Sequence, residues 1–379
     1  MKIVIAPDSY KESLSALNVA AAIEAGFREV FPAAEYVKIP VADGGEGTVE
    51  AMVAATSGTL VRLTATGPLG EPVAAFYGLS GDERTAFIEM AAASGLELVP
   101  VAQRNALITT SWGTGELIKN ALDRGVEHII IGIGGSATND GGAGMIQALG
   151  ARLLDSAGCD LAPGGAALAQ LAQIDISGVD ARIKACRFEV ACDVTNPLTG
   201  EKGASAVFGP QKGATPAQIA QLDRALAHYA SLIQRDLDID VLHIAGGGAA
   251  GGMGAALHAF CQAELRSGIE IVTEALGLAE QVKDADLVIT GEGRIDSQSV
   301  NGKVPIGVAR VAKQFNKPVI GIAGSLTSDV GVVHAHGLDA VYSVLFSICS
   351  LEEALASAEQ NVRLTARNVA AAIRIGKGL

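Results

Sequence analysis

Apolar and polar positions along the chain fall into two alternating rhythms. Short apolar runs at Lys2–Ala6, Asp286–Thr290, Pro318–Ala323 and Ala340–Val344 read as buried strands. Between them, apolar residues recur at helical spacing. Val19, Ala22, Ile23, Gly26, Phe27 and Val30 form one such stripe, which predicts a helix over Ser15–Phe31. Tyr36–Pro40 predicts a second strand and Gly47–Thr56 a second helix. Towards the end of the chain, helices are expected over Pro305–Phe315, Val330–Ala335 and Leu351–Ile375. Strands alternating with helices define an open parallel sheet.

The middle of the chain has a different pattern. Thr59–Gly95 alternates and turns at Gly67-Pro68-Leu69-Gly70 and Gly81-Asp82, as antiparallel strands do. Strands follow at residues 128–133 and Arg187–Cys192. Helices are expected over Gly115–Arg124, Ala143–Gly150 and Pro216–Asp236, the last capped by Thr215 with Pro216 at its first position. The expected fold class is therefore α/β. An open parallel-sheet domain of Rossmann or flavodoxin kind, residues 1–60 and 270–379, is interrupted by a second mixed α/β domain, residues 61–269, with an active-site cleft between them.

Composition narrows the function. The 379 residues are 49% hydrophobic and 18% charged, which excludes a disordered chain. A net charge of −13 argues against a nucleic-acid footprint. It leaves room for a phosphorylated ligand, because a few Lys/Arg and helix dipoles can make a local positive pocket. Cys159, Cys186, Cys192, Cys261 and Cys349 are odd in number and form no C-x-x-C, so neither a zinc site nor a disulfide framework is expected. No apolar run reaches the ~18 residues of a membrane span, and the start lacks a signal-peptide layout. The expectation is a soluble cytoplasmic protein with small-molecule partners, no nucleic acid and no membrane.

The candidate chemistry lies in glycine-rich loops. His128-Ile-Ile-Ile-Gly-Ile-Gly-Gly-Ser-Ala-Thr-Asn-Asp-Gly-Gly-Ala-Gly144 reads as a strand, a bare-backbone loop and a helix start. Such a loop brings N–H groups close to an anion. Ser136, Thr138, Asn139 and Asp140 stand where that helix would be capped. Asp8-Ser-Tyr-Lys-Glu-Ser13 follows the first strand, and ligands in open α/β sheets bind at carboxyl ends of strands. Asp43-Gly-Gly-Glu-Gly47 offers two carboxylates three residues apart, enough to share one Mg²⁺. Ser111-Trp-Gly-Thr-Gly-Glu116 reads equally as a helix cap. Cys192–Gly203 and Phe208–Gly213 hold an Asp, an Asn and two further Lys in a long glycine-rich loop, and long ordered loops are usually functional. After the strand at 286–290 come Glu292, Arg294 and Asp296, then Gly302-Lys303; Arg294 suits bidentate recognition of phosphate or carboxylate.

Several familiar motifs are missing. No P-loop, protein-kinase signature or nucleophile-elbow serine occurs. Gly246-x-Gly-x-x-Gly251 matches a dinucleotide fingerprint, but Asp240–Ala245 before it is a poor strand. None of the six histidines falls in the acidic loops. Carboxylates, Lys/Arg and helix starts without a histidine base match the needs of phosphoryl transfer. The reading is a small-molecule kinase. The alternatives are a NAD-dependent hydroxy-acid dehydrogenase, suggested by Gly246–Gly251, and a non-catalytic metabolite-binding sensor.

Asp8-Ser-Tyr-Lys-Glu-Ser-Leu-Ser, Asp43-Gly-Gly-Glu-Gly-Thr, the 132–144 glycine string, Cys192-Asp-Val-Thr-Asn-Pro-Leu, Phe208-Gly-Pro-Gln-Lys-Gly-Ala and Ile289-Thr-Gly-Glu-Gly-Arg-Ile-Asp resemble the bacterial glycerate kinase type-1 family. The resemblance runs through essentially the whole chain in the same order. Glu12 departs from it, standing where glycine is expected. The resemblance implies ATP- and Mg²⁺-dependent phosphorylation of D-glycerate, with 2-phosphoglycerate favoured over 3-phosphoglycerate. Bacterial enzymes of this kind serve glyoxylate, glucarate or galactarate breakdown. It also implies two α/β domains, one inserted in the other.

On residue chemistry and loop position, each candidate receives a role. Gly134, Gly135, Ser136, Thr138, Asn139 and Gly141 cradle ATP. Lys11 and Lys212 neutralise transferring charge. Asp43 and Glu46, with Asp193 or Asp296, hold Mg²⁺. Asp193 accepts the glycerate hydroxyl proton, with Asp296 its rival. Arg294 grips the substrate carboxylate, with Asp8, Ser9 and Glu292 beside it.

Overall fold

The computed structural model describes residues 1–378 except Glu46 and Asn301. The chain divides into two compact units. One comprises Met1–Asp43, Glu50–Thr56 and Gly268–Leu379, and the other Gly44–Val49 and Ser57–Ser267.

The first unit is built on a five-stranded, all-parallel sheet. Its order is Ala340–Ser343, Val319–Ala323, Leu287–Thr290, Lys2–Ile5, Glu35–Lys38. Successive residues of a strand point to opposite faces. Ile3, Ile5, Leu287, Ile289, Ile320 and Ile322 therefore share one face, where they pack against the helices Ala16–Arg28 and Ala358–Gly378. Val4, Val288 and Val319 point to the other face; the helix Val304–Gln314 packs against the strands Leu287–Thr290 and Val319–Ala323. Two-sided burial is why these strands read as unbroken apolar runs.

The strand order reverses at Lys2–Ile5. From there the chain steps outward to Glu35–Lys38, and after the second unit it returns on the opposite side at Leu287–Thr290. This junction is the switch point at which open α/β sheets bind ligands. Pairing continues beyond the strands there. Ala6 N–H donates to Ile289 O at 2.7 Å, Asp8 N–H to Gly291 O at 2.8 Å, and the Thr290 hydroxyl to Ala6 O at 2.8 Å.

The second unit has a mixed six-stranded sheet. Glu264–Arg266, Arg187–Ala191, His128–Gly132 and Thr85–Glu89 run parallel, and the antiparallel strands Pro72–Leu79 and Thr59–Thr66 complete it. Because His128–Gly132 and Arg187–Ala191 are parallel neighbours, the glycine loop and the Cys192–Gly203 loop leave the same edge of the sheet. The long helix Pro216–Leu237 begins with the expected Thr215 cap and with Pro216 in the first turn; the Gln218 side chain accepts from Thr215 N–H and completes a capping box.

Three elements differ from the periodicity. Val330–His336 is a 3₁₀ helix; β-branched valines and Gly331 disfavour a regular α-helix there. The terminal helix is two, Leu351–Ala356 and Ala358–Gly378, broken at Ser357. The helix expected from Gly115 begins earlier, at Trp112.

The helices Ala16–Arg28 and Ala358–Gly378 approach closely at Gly26. A Cβ added there would lie 2.2 Å from Arg363 O and 2.9 Å from Ala366 Cβ. Gly26→Ala forces the helices apart and costs about 1–3 kcal/mol. Thermal denaturation should show a lower midpoint than the parent; an unchanged midpoint would mean the contact yields freely.

Candidate active site

At the switch point of the first unit, three carboxyls from three loops stand within electrostatic reach. Asp8 follows the strand Lys2–Ile5, Asp43 lies beyond Glu35–Lys38, and Glu292 follows Leu287–Thr290. Burial, then the neighbouring charges of Asp43 and Glu292, push the Asp8 carboxyl up to about 7; hydrogen bonds from Ser9 N–H, at 2.6 Å, and Ser9 Oγ only partly oppose this. Burial also raises Glu292, against the hydroxyl of Ser299 and the ammonium of Lys303, whose Nζ lies 3.5 Å from Oε2.

The remaining sequence candidates of this unit lie around these three. Asp296 is buried; its Oδ1 accepts Gln298 N–H at 2.9 Å and its Oδ2 accepts Arg294 Nε at 3.0 Å. Arg294 and Lys11 are exposed, and Ser9 is half-buried. Glu12 has φ +65°, a left-handed conformation that glycine adopts without strain. Tyr10 is buried and its hydroxyl donates to Ile322 O at 2.6 Å, pinning the loop that carries Asp8 and Lys11.

Clustered acids of this kind attract a cation. Mg²⁺ takes one or two carboxylates and fills the rest of its shell with phosphate oxygens and water. Among the described residues, no three or more His, Cys, Asp or Glu stand close enough to form a ready-made protein cage. Glu46, a candidate ligand, lies outside the described residues. Asp43 belongs to the first unit and Asp193 to the second.

The second unit organises the glycine loop around Asp140. Its fully buried carboxylate accepts Ser111 N–H at 2.9 Å, Ser111 Oγ at 2.8 Å, Gly142 N–H at 3.1 Å and Gly144 N–H at 3.2 Å. Burial nonetheless raises its pKa. The sequence presents Asp140 only as a helix cap. The cap position of the helix Ala143–Ala148 belongs instead to Gly142, which has φ +73° and makes no side-chain cap bond. Ser111 thus ties the start of the helix Trp112–Asp123 to this loop.

Lys212 also points inward. It is 1% exposed, and its Nζ donates to Ser136 Oγ at 2.7 Å and Thr138 O at 2.6 Å. Burial brings its pKa down to about 7, with Asp140 opposing. Thr138 and Asn139 are fully buried, and Asn139 Nδ2 donates to Ser205 Oγ at 2.9 Å. Gly141 N–H is taken by Gly251 O at 2.9 Å. Gly134 and Gly135 are the exposed part of the loop. On the neighbouring loop Asp193 is exposed, and its Oδ1 accepts Ser267 Oγ at 2.9 Å.

The Gly246–Gly251 run has another explanation than a dinucleotide. No strand precedes it. Its glycines allow loops to touch: a Cβ on Gly248 would lie 2.1 Å from Pro197 O, and one on Gly251 2.0 Å from Thr138 O.

A parallel sheet with carboxylates and cations at its switch point, joined in one chain to a buried, pinned glycine loop, defines an α/β enzyme acting on small polar ligands. The glycerate kinase family model matches residues 3–374, and the chain belongs to that family; it is a kinase. It is 66% identical over 376 residues to "Glycerate 2-kinase" of Escherichia coli (strain K12), covering 99% of each chain. It is 60% identical over 377 residues to "Glycerate kinase" of Bacillus subtilis (strain 168), covering 100% of this chain and 99% of the other. A crystal structure from Salmonella typhimurium LT2, of a candidate glycerate kinase 2, matches with TM-score 0.94 and 72% identity over 100% of both chains. No helix among the described residues is long and apolar enough to cross a membrane.

The raised Asp8 carboxyl links pH to stability. Its folded value of about 7 exceeds the ordinary 3.8, so the folded chain binds this proton more tightly than the unfolded one. The stabilisation is therefore fully present below 3.8 and is lost as pH rises towards about 7. Asp8→Asn should raise the melting temperature more at pH 8 than at pH 5. Equal changes at the two pH values would show that Asp8 titrates normally.

Proposed function

We propose that this chain transfers the γ-phosphate of ATP, in the presence of Mg²⁺, to a hydroxyl of D-glycerate, with 2-phosphoglycerate as the favoured product. The observation that carries this reading is the cluster of Asp8, Asp43 and Glu292 at the switch point of a chain so similar to a glycerate 2-kinase.

The donor set fits a divalent cation. Asp8 is pushed up by burial first and by the charges of Asp43 and Glu292 second, and a cation beside it would oppose both effects. Asp43 would hold Mg²⁺ together with phosphate oxygens and water, the ion neutralising phosphate charge when bound. Lys11, exposed on the same loop as Asp8, supplies further neutralisation of the transferring group. Arg294 is half committed to Asp296 and turns its other guanidinium nitrogens to the glycerate carboxylate.

In the second unit, the exposed Gly134-Gly135 turn with Ser136 takes the ATP phosphates, while Thr138, Asn139 and Gly141 support it from inside. Asp193 is our preferred acceptor of the hydroxyl proton. It is exposed at a strand end, whereas Asp296 is buried and committed to Gln298 N–H and Arg294. A positioned carboxylate contributes about 10²–10⁴-fold.

A ³¹P NMR spectrum of the protein with ATP, Mg²⁺ and D-glycerate tests the reading. A phosphomonoester signal matching 2-phosphoglycerate is expected. A 3-phosphoglycerate signal would overturn the regiochemistry, and no new ester would overturn D-glycerate as the substrate. Asp193→Asn should lower kcat by about two orders of magnitude or more; near-normal turnover in the folded variant would remove Asp193 as the base.

A further inference from the structure

Three alternate residues of the glycine loop are fixed from within the second unit. Lys212 takes Ser136 through its hydroxyl at 2.7 Å and Thr138 through its carbonyl at 2.6 Å. Asp140, two residues further on, is held by four donors from Ser111, Gly142 and Gly144. Backbone bonds complete the suspension: Ala137 N–H reaches Ser94 O at 2.9 Å, and Leu96 N–H reaches Gly135 O at 2.8 Å. Only the Gly134-Gly135 turn is left facing solvent.

Lys212 therefore stands on the inner side of the loop. At 1% exposure it has no surface to offer a ligand, unlike Lys11. Burying an amine is costly, and an apolar side chain would pack there without that cost. What the lysine adds is a pair of directional bonds from one nitrogen to two points of the loop, fixing the spacing between residues 136 and 138. The charged group that acts on it is Asp140, which favours the protonated amine against the effect of burial.

We propose that Lys212 is a positioning residue for the nucleotide. It shapes the Gly134–Ser136 turn from behind and acts on the reaction through Ser136, without touching the transferring phosphate. This rests on the reading in which that turn takes the ATP phosphates.

The test uses the full chain, with Lys212→Met and the less disruptive Ser136→Ala. For each, kcat, KM for ATP, KM for D-glycerate and the melting temperature are measured. Lys212→Met is expected to raise KM for ATP at least tenfold with KM for D-glycerate within threefold. Ser136→Ala should shift KM for ATP in the same direction by less. A purely structural role would lower the melting temperature without this split between substrates. ATP KM values unchanged in both variants overturn the proposal. So does a collapse of kcat at unaltered KM for ATP, which would place Lys212 at the transferring phosphate. If Lys212→Met does not fold, Ser136→Ala decides alone, and an unchanged KM for ATP overturns the proposal. A parent protein that binds ATP but phosphorylates no glycerate would overturn the proposed substrate only. The variants would then be compared by their Kd for ATP in calorimetry, on the same tenfold criterion.

Discussion

The strand Lys2–Ile5 has one parallel neighbour that the chain does not supply until Leu287. Ile3, Val4 and Ile5 pair with Leu287, Val288 and Ile289, and the ladder continues through Ala6 and Asp8 to Gly291. This pairing closes the first unit. It sets Asp8 opposite the loop of Glu292, and it fixes which way every apolar side chain of the two strands faces. A slip of one residue would turn Ile3 and Ile5 away from the helices Ala16–Arg28 and Ala358–Gly378. It would also separate the carboxyls that the sheet brings together.

Both groups of polar residues carry an energetic burden. Asp8 is held among like charges, and Lys212 is sealed inside the second unit. Each would be replaced at a gain if stability alone were selected. The two burdens differ in kind. The acids at the switch point repel one another, and a bound cation would offset that repulsion. Lys212 and Asp140 already have partners, so what they provide is a fixed shape. One group is suited to a charged ligand, and the other holds a surface ready in advance.

Most of the architecture was legible because burial and periodicity coincide. Strands covered on both faces read as apolar runs, and the stripe from Val19 to Val30 shows the buried side of its helix. Thr215 and Pro216 announced their helix because capping is chemistry between near neighbours. The break at Ser357 carried no such sign, having neither glycine nor proline. In the sites, the strings holding Asp8, Asp43 and Glu292 stood out because glycine and acids at strand ends are unusual. The part played by Lys212 was not legible. Its partners Ser136 and Thr138 lie 76 and 74 residues away, and nothing in Phe208–Gly213 distinguishes a buried amine from an exposed one. The glycines at 246–251 misled in the opposite sense: the same spacing that lets a backbone approach a pyrophosphate also lets one loop lie against another.

The late arrival of Leu287 has a consequence for synthesis. The second unit is nearly continuous, Ser57–Ser267, and most of its contacts are available once that stretch has left the ribosome. The strand Lys2–Ile5 is made long before its inner neighbour, which follows some 285 residues later, about 15–60 s at ordinary translation rates. Through that interval Lys2–Ala6 is an apolar segment with an open edge. The inserted unit thus has time to become compact first, while Lys2–Ile5 keeps one side unpaired until Leu287–Thr290 is made.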